Sequence, residues 1–147
     1  MSDDIKVFDK VKDSGERRDF GTGGVRDVGA GKGRFDLLPP LATIRLAKHF
    51  ENGAMKYSDR NWEKGLPLHC YFDSARRHME KMLLGMEDED HIAASAWNLM
   101  CYMETKMRID LGMLPKELDD MPKTFSDEEI QKKLIALLDE MMKINKK

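Results

Sequence analysis

Apolar residues recur at steps of three and four along four stretches of this chain, the spacing of helices that bury one face. The first stretch runs through Leu41, Ile44, Ala47, Phe50, Ala54 and Tyr57. It starts from Asp36-Leu37-Leu38-Pro39-Pro40, where proline is tolerated because the amides of a first helical turn need no partner. A second helix, from about 70 to 84, carries Phe72, Ala75, Met79, Met82 and Leu83, with Gly85 as its stop. A third, roughly 89 to 111, carries Ile92, Ala96, Leu99, Met103 and Met107 and is closed by Gly112 and Pro115. So short a connection between the second and third makes them antiparallel. Ser126-Asp127-Glu128-Glu129 reads as a capping box for a fourth helix, whose Ile130, Leu134, Leu137, Met141 and Ile144 form a narrow seam for another helix of the same or a second subunit.

No alternation long enough for a strand is visible, so the predicted class is all-α. Residues 1–35 hold seven of the eleven glycines and no sustained apolar period, which predicts an extended arm. Residues 36–122 then form the helical core, and 123–147 a C-terminal amphipathic helix belonging to that domain or to an oligomer interface.

At 147 residues the chain has room for one domain. Its 25 basic and 27 acidic residues nearly cancel, so there is no general electrostatic reason to bind nucleic acid or anionic lipid. Two cysteines, Cys70 and Cys101, fit neither a CxxC motif nor a zinc site, and with no apolar leader or long apolar run the expectation is a cytoplasmic protein with no membrane partner. Five of the twelve methionines, Met79, Met82, Met100, Met103 and Met107, fall at helical spacings and read as core filling.

The chemistry concentrates in Lys56-Tyr57-Ser58-Asp59-Arg60-Asn61-Trp62-Glu63-Lys64-Gly65. An indole can stack on a base, an amide can read its edge, and Lys56, Arg60 and Lys64 can answer phosphates. A polar turn with Trp62 tucked into the core accounts for the same ten residues equally well. Gly29 to Arg34 lacks the Ser or Thr and the preceding strand of a P-loop; Lys32 and Arg34 on glycine-rich backbone either close over a phosphate or base, or remain a solvated loop. Glu80, Glu87, Asp88, Glu89 and Asp90 crowd the turn between the second and third helices, where oxygen donors suit Mg²⁺ or Mn²⁺ and a solvated hairpin tip is the plainer account. His78 and His91 flank that tip as ligands, phosphate donors or satisfied surface residues, and Asn98 is a local hydrogen-bonding group or a reader of a base.

Taken in order, G-T-G-G-V-R-D-V (21–28), G-K-G-R-F-D-L-L-P-P (31–40), G-A-M-K-Y-S-D-R-N-W-E-K-G (53–65), R-R-H-M-E-K-M-L-L-G (76–85) and H-I-A-A-S-A-W-N (91–98) resemble the phage dATP/dGTP diphosphohydrolases, the MazG-like group sometimes called MazZ. The resemblance covers about residues 15–122. It implies a MazG-like helical bundle with a glycine-rich arm, acting with Mg²⁺ or Mn²⁺, two or more ions per site, as a homo-oligomer. The implied reaction takes dATP and dGTP to monophosphates, supplying dGMP where a phage genome carries 2-aminoadenine, in the host cytoplasm. MazG proteins have Glu-Glu-x-x-Glu and Glu-x-x-Asp; here the first matches only at Glu80, with Arg76 and Arg77 in the other places, and the second falls on Ser95 and Asn98. The expected metal ligands are therefore Glu80, Glu87, Asp88 and Asp90. Catalytic duty falls to Glu80, Arg77 and His78. Substrate contacts are expected from Lys32, Arg34, Asp36, Lys56, Tyr57, Arg60, Asn61, Trp62, Lys64, His91 and Asn98. The rival expectation is a helical nucleotide-binding or regulatory module without chemistry.

Overall fold

The structure is a computed structural model that describes residues 13–123 and 127–144. It divides between Pro39 and Pro40 into two units.

Within the N-terminal unit, β1 (Arg17–Asp19) and β2 (Val25–Asp27) pair antiparallel, with Arg18 opposite Arg26. Gly21 and Gly23 turn the chain between them at φ 72° and 83°, a conformation that only glycine adopts freely. This hairpin corrects the expectation of an arm without regular structure. Three-residue strands are too short for a period of two to show in the sequence. A 3₁₀ turn at Phe35–Leu37 follows.

The second unit is all-α, as the periodicity predicts. Its helices are α1 (Pro40–Tyr57), α2 (Leu68–Leu83), α3 (His91–Asp110) and α4 (Glu128–Ile144). Pro40 takes the first turn of α1, and Asp36 and Leu37 belong to the separate 3₁₀ turn. Gly85 and Gly112, at φ 69° and 73°, end α2 and α3 as expected. The capping box of α4 involves Ser126, which lies outside the described residues; Asp127 Oδ1 accepts from the amides of Glu129 and Ile130.

Helices α2 and α3 form an antiparallel hairpin, marked by Tyr71 beside Thr105 and Ser95 Oγ donating to Ala75 O. Leu68, Tyr71 and Ala75 face Ala94, Asn98, Cys101, Thr105 and Ile109 in the core, and Phe50 of α1, Trp62, Trp97 and Leu114 pack around them. Every buried residue of α3 is thus off the stripe that the apolar spacing selects. Ile92, Leu99, Met103 and Met107 point outward, the last two 59% and 62% exposed. The five methionines read as core filling are likewise surface residues. The cause is size: alanine, serine, asparagine, cysteine and threonine on the inner face let the two helices approach closely, and a period count weighted by large apolar side chains misses them.

In α1 the expected face holds at Phe50 and Ala54 and fails at its two ends. Leu46, His49, Phe50, Gly53 and Ala54 turn inward, whereas Leu41 and Ile44 are 82% and 66% exposed. The seam of α4 is exposed at Ile130, Leu137 and Met141 and half-buried at Leu134. Among the described residues no helix is long and apolar enough to cross a membrane.

Candidate active site

The segment between α1 and α2 is held in an unusual backbone shape. Ser58 and Arg60 adopt φ 103° and 52°, left-handed values that cost a non-glycine residue of order 1–3 kcal/mol and that cluster at ligand-binding segments. Asn61–Lys64 then form a 3₁₀ turn, and Gly65 at φ 78° and ψ 138° leads into α2. A Cβ on Gly65 would lie 2.8 Å from Leu118 Cδ1, so only glycine lets residues 114–118 close over this turn.

That segment walls a cleft of about 750 Å³ with α1, α2 and α3. Its apolar part is aromatic. Trp97 stands at the centre, its ring centroid 5.9 Å from Phe50 and 6.3 Å from both His49 and Tyr71. Trp62 lines the same space while packing on the core, with the Arg108 guanidinium 5.1 Å from its ring centroid. Trp62 thus packs on the core, as the plainer account has it, and also borders the cleft. Asn98 is buried at the cleft and donates Nδ2–H to Ala94 O.

At the other end, His78 and Glu89 line the cleft. His78 Nδ1 is 3.0 Å from His91 Nδ1, and Glu89 Oε1 is 3.5 Å and 3.6 Å from the two. His91, only 3% exposed, meets Asp88 Oδ1 through Nε2 at 2.9 Å. Burial lowers the His78 pKa, and the His91 hydrogen bond lowers that of Asp88. His78, Glu89 and His91 satisfy the distances needed to share one metal ion.

Of the expected substrate residues, Tyr57, Arg60, Asn61, Trp62 and Asn98 line the cleft, as does His78. Lys56 lies against Tyr57, its ammonium 4.9 Å from the ring centroid, and Lys64 is exposed on the 3₁₀ turn. His91 sits behind His78. Arg77 pairs with Asp73, and Arg76 with Glu80 at 3.6 Å. Asp90 accepts two hydrogen bonds from Arg45 and also caps α3 at the Ala93 amide; the Arg45 guanidinium and the cap hold its pKa down to about 2. Glu87 is exposed in the turn. Within the N-terminal unit Lys32 bonds to Asp27 at 2.7 Å, and Arg34 grips Asp36 at 2.7 and 2.5 Å. Ser95 and Asn98, which stand in the second MazG motif's places, are both buried in the helix hairpin.

Sequence reasoning left out His49, Tyr71 and Trp97, and counted Glu89 among the turn carboxylates without choosing it as a ligand. Trp97 carried a signal, being next to Asn98 in the motif-bearing stretch; Tyr71 and His49 carried none, since their meeting depends on how α1 packs.

A family model described as dATP/dGTP diphosphohydrolase, N-terminal, matches residues 22–113, more than half of the chain and all of the cleft. No curated protein and no solved structure matches.

Proposed function

The chain belongs to the dATP/dGTP diphosphohydrolase family, and from that premise we propose that it hydrolyses the phosphoric anhydrides of dATP and dGTP to give the monophosphates, in the cytoplasm where those substrates are found. The observation that carries this reading is the polarity of the cleft, aromatic around Trp97 and imidazole-carboxylate at His78 and Glu89. A purine fits the first end and a triphosphate the second.

In this reading the base stacks among Trp97, Phe50 and Trp62, and the carbonyl of Asn98 with the amide of Asn61 reads its edge. Arg60 and Lys56 meet the phosphate chain, and Arg77 joins them by leaving Asp73. The left-handed residues Ser58 and Arg60 fix the loop before substrate arrives, so its donors need little reorganisation during reaction. At the phosphate end His78 presents an imidazole whose neutral form burial favours, an electron-pair donor rather than a fixed charge. A divalent ion held by His78, Glu89 and His91 supplies, when bound, neutralisation of phosphate charge and acidification of water. The outward stripe of Ile92, Leu99, Met103 and Met107 is covered by a second copy of the chain, which light scattering tests through the oligomer mass.

The deciding experiment incubates dATP, dGTP, dCTP and dTTP separately with the protein and Mn²⁺, then separates the products by chromatography. Loss of the purine triphosphates with appearance of dAMP and dGMP is expected, and the co-product, pyrophosphate or orthophosphate, identifies the bond attacked. Thermal stabilisation by dGTP with no product under any divalent ion would replace this reading with a binding module.

A further inference from the structure

The triangle of donors at the α2–α3 turn carries more than a general capacity for metal. With sides of 3.0, 3.5 and 3.6 Å, it has a centre about 2.0 Å from each donor, the length of imidazole and carboxylate bonds to a first-row divalent ion. In the absence of an ion a hydrogen bond from His78 Nδ1–H to His91 Nδ1 holds the pair together, and a metal ion would take the place of that proton. The Asp88 carboxylate at His91 Nε2 calls for the proton on that nitrogen, so a neutral His91 presents a lone pair from Nδ1 toward His78. A lone pair, a carboxylate and a second imidazole then converge on one point. A carboxylate behind an imidazole whose other nitrogen faces a site is also the usual support of a metal-bound histidine.

We propose that His78, His91 and Glu89 bind one transition-metal dication at the phosphate end of the cleft, with Asp88 as the positioning residue, and that the site selects Mn²⁺, Co²⁺ or Zn²⁺ over Mg²⁺. Its catalytic use rests on the phosphohydrolase reading; its existence does not. Selectivity follows from the donors. Mg²⁺ demands oxygen ligands in a near-ideal octahedron, whereas imidazole nitrogens suit the later, softer ions. Lys81, 3.7 Å from both Asp88 Oδ2 and Glu89 Oε1, competes as a cation for the same carboxylates. Replacing it with Met therefore raises metal affinity.

The test uses the full chain without an affinity tag, stripped by chelator and titrated with Co²⁺, Mn²⁺ and Mg²⁺ in the absence of nucleotide. Visible Co²⁺ absorption and calorimetry are read together. One Co²⁺ per chain with ligand-field bands is expected, undisplaced by equimolar Mg²⁺. Glu89→Gln and His78→Ala each weaken Co²⁺ binding at least tenfold, and Asp88→Asn weakens it about 10–100-fold. Circular dichroism confirms the fold of each variant, and Glu89, exposed in the turn, is the variant least able to disturb it. Unchanged Co²⁺ affinity in folded Glu89→Gln and His78→Ala overturns the site, and Mg²⁺ binding as tight as Mn²⁺ overturns the selectivity. A chain that binds Co²⁺ through these residues but leaves dGTP intact supports the site and strikes only the phosphohydrolase reading.

Discussion

Gly65→Ala is the perturbation whose magnitude the structure fixes best. The residue holds φ 78° and ψ 138°, outside the helical left-handed well, where an added Cβ costs of order 1–3 kcal/mol in backbone strain. The new methyl would also stand 2.8 Å from Leu118 Cδ1 and 3.1 and 3.2 Å from the two Leu114 methyls. Both leucines are half-buried against the core and have little freedom to retreat, so overpacking adds about 1–3 kcal/mol. The combined loss of about 2–6 kcal/mol is a large share of the roughly 5–15 kcal/mol that holds a domain together. Urea unfolding followed by far-ultraviolet circular dichroism measures it, with thermal unfolding expected to shift by roughly 10 °C. Leu118→Ala in the same background separates the two contributions. If the clash is real, the double variant is more stable than the sum of the single losses predicts. A single-variant loss below about 1 kcal/mol, with no coupling to Leu118, would refute the view that this turn is locked by contact with residues 114–118.

Asp90→Asn keeps a side chain able to cap α3 but drops the two charge-assisted bonds from Arg45, so it should cost less stability than Asp90→Ala, which loses the cap as well and with it about 1 kcal/mol more; equal unfolding midpoints for the two variants would contradict this. Trp97→Leu should raise KM for dGTP more than it lowers kcat, because stacking serves ground and transition states alike, and steady-state kinetics would show the reverse if Trp97 only fills the core. A maleimide should label Cys70, which lines the cleft, and spare Cys101 in the native protein, with dGTP slowing the labelling; mass spectrometry of digested adducts reads this. Burial pushes the Cys101 thiol up to about 12 from 9.0, so its contribution to stability is complete below pH 9 and is lost as pH rises from there toward 12, a slope that Cys101→Ala should remove from unfolding curves.

Helix existence was legible because glycine, proline and capping residues mark ends in the local sequence. Gly85, Gly112 and Pro40 all stand where such punctuation predicts. Which face each of α1 to α3 buries was legible only at Phe50, Ala54 and Ala75 and missed altogether in α3, because the answer depends on partners. Ala94, Asn98, Cys101 and Thr105 are unremarkable in hydrophobicity and become core only because α2 lies against them. At the site, Arg60, Asn61, Trp62, His78 and Asn98 were readable as nucleotide chemistry, and the cleft assembles them. Glu89 was seen only as one carboxylate among five; its distance to two imidazoles depends on the turn geometry, which side-chain type cannot reveal. The 17–27 hairpin escaped notice for lack of length.

His78 and His91 are thirteen residues apart along the chain, and the turn that joins them lies wholly within one helical hairpin. Closing so short a loop costs little entropy, and contacts this local form early in folding. The histidine-carboxylate end of the pocket can thus form with the hairpin, ahead of the docking of α1 that supplies Phe50 and His49 to the aromatic end. Inheritance follows the same division. On the proposed reading, changes in α1 retune the choice of base without touching the His78–Glu89–His91 cluster, whereas a residue inserted between Leu84 and Asp90 disturbs that cluster and leaves the aromatic end in place.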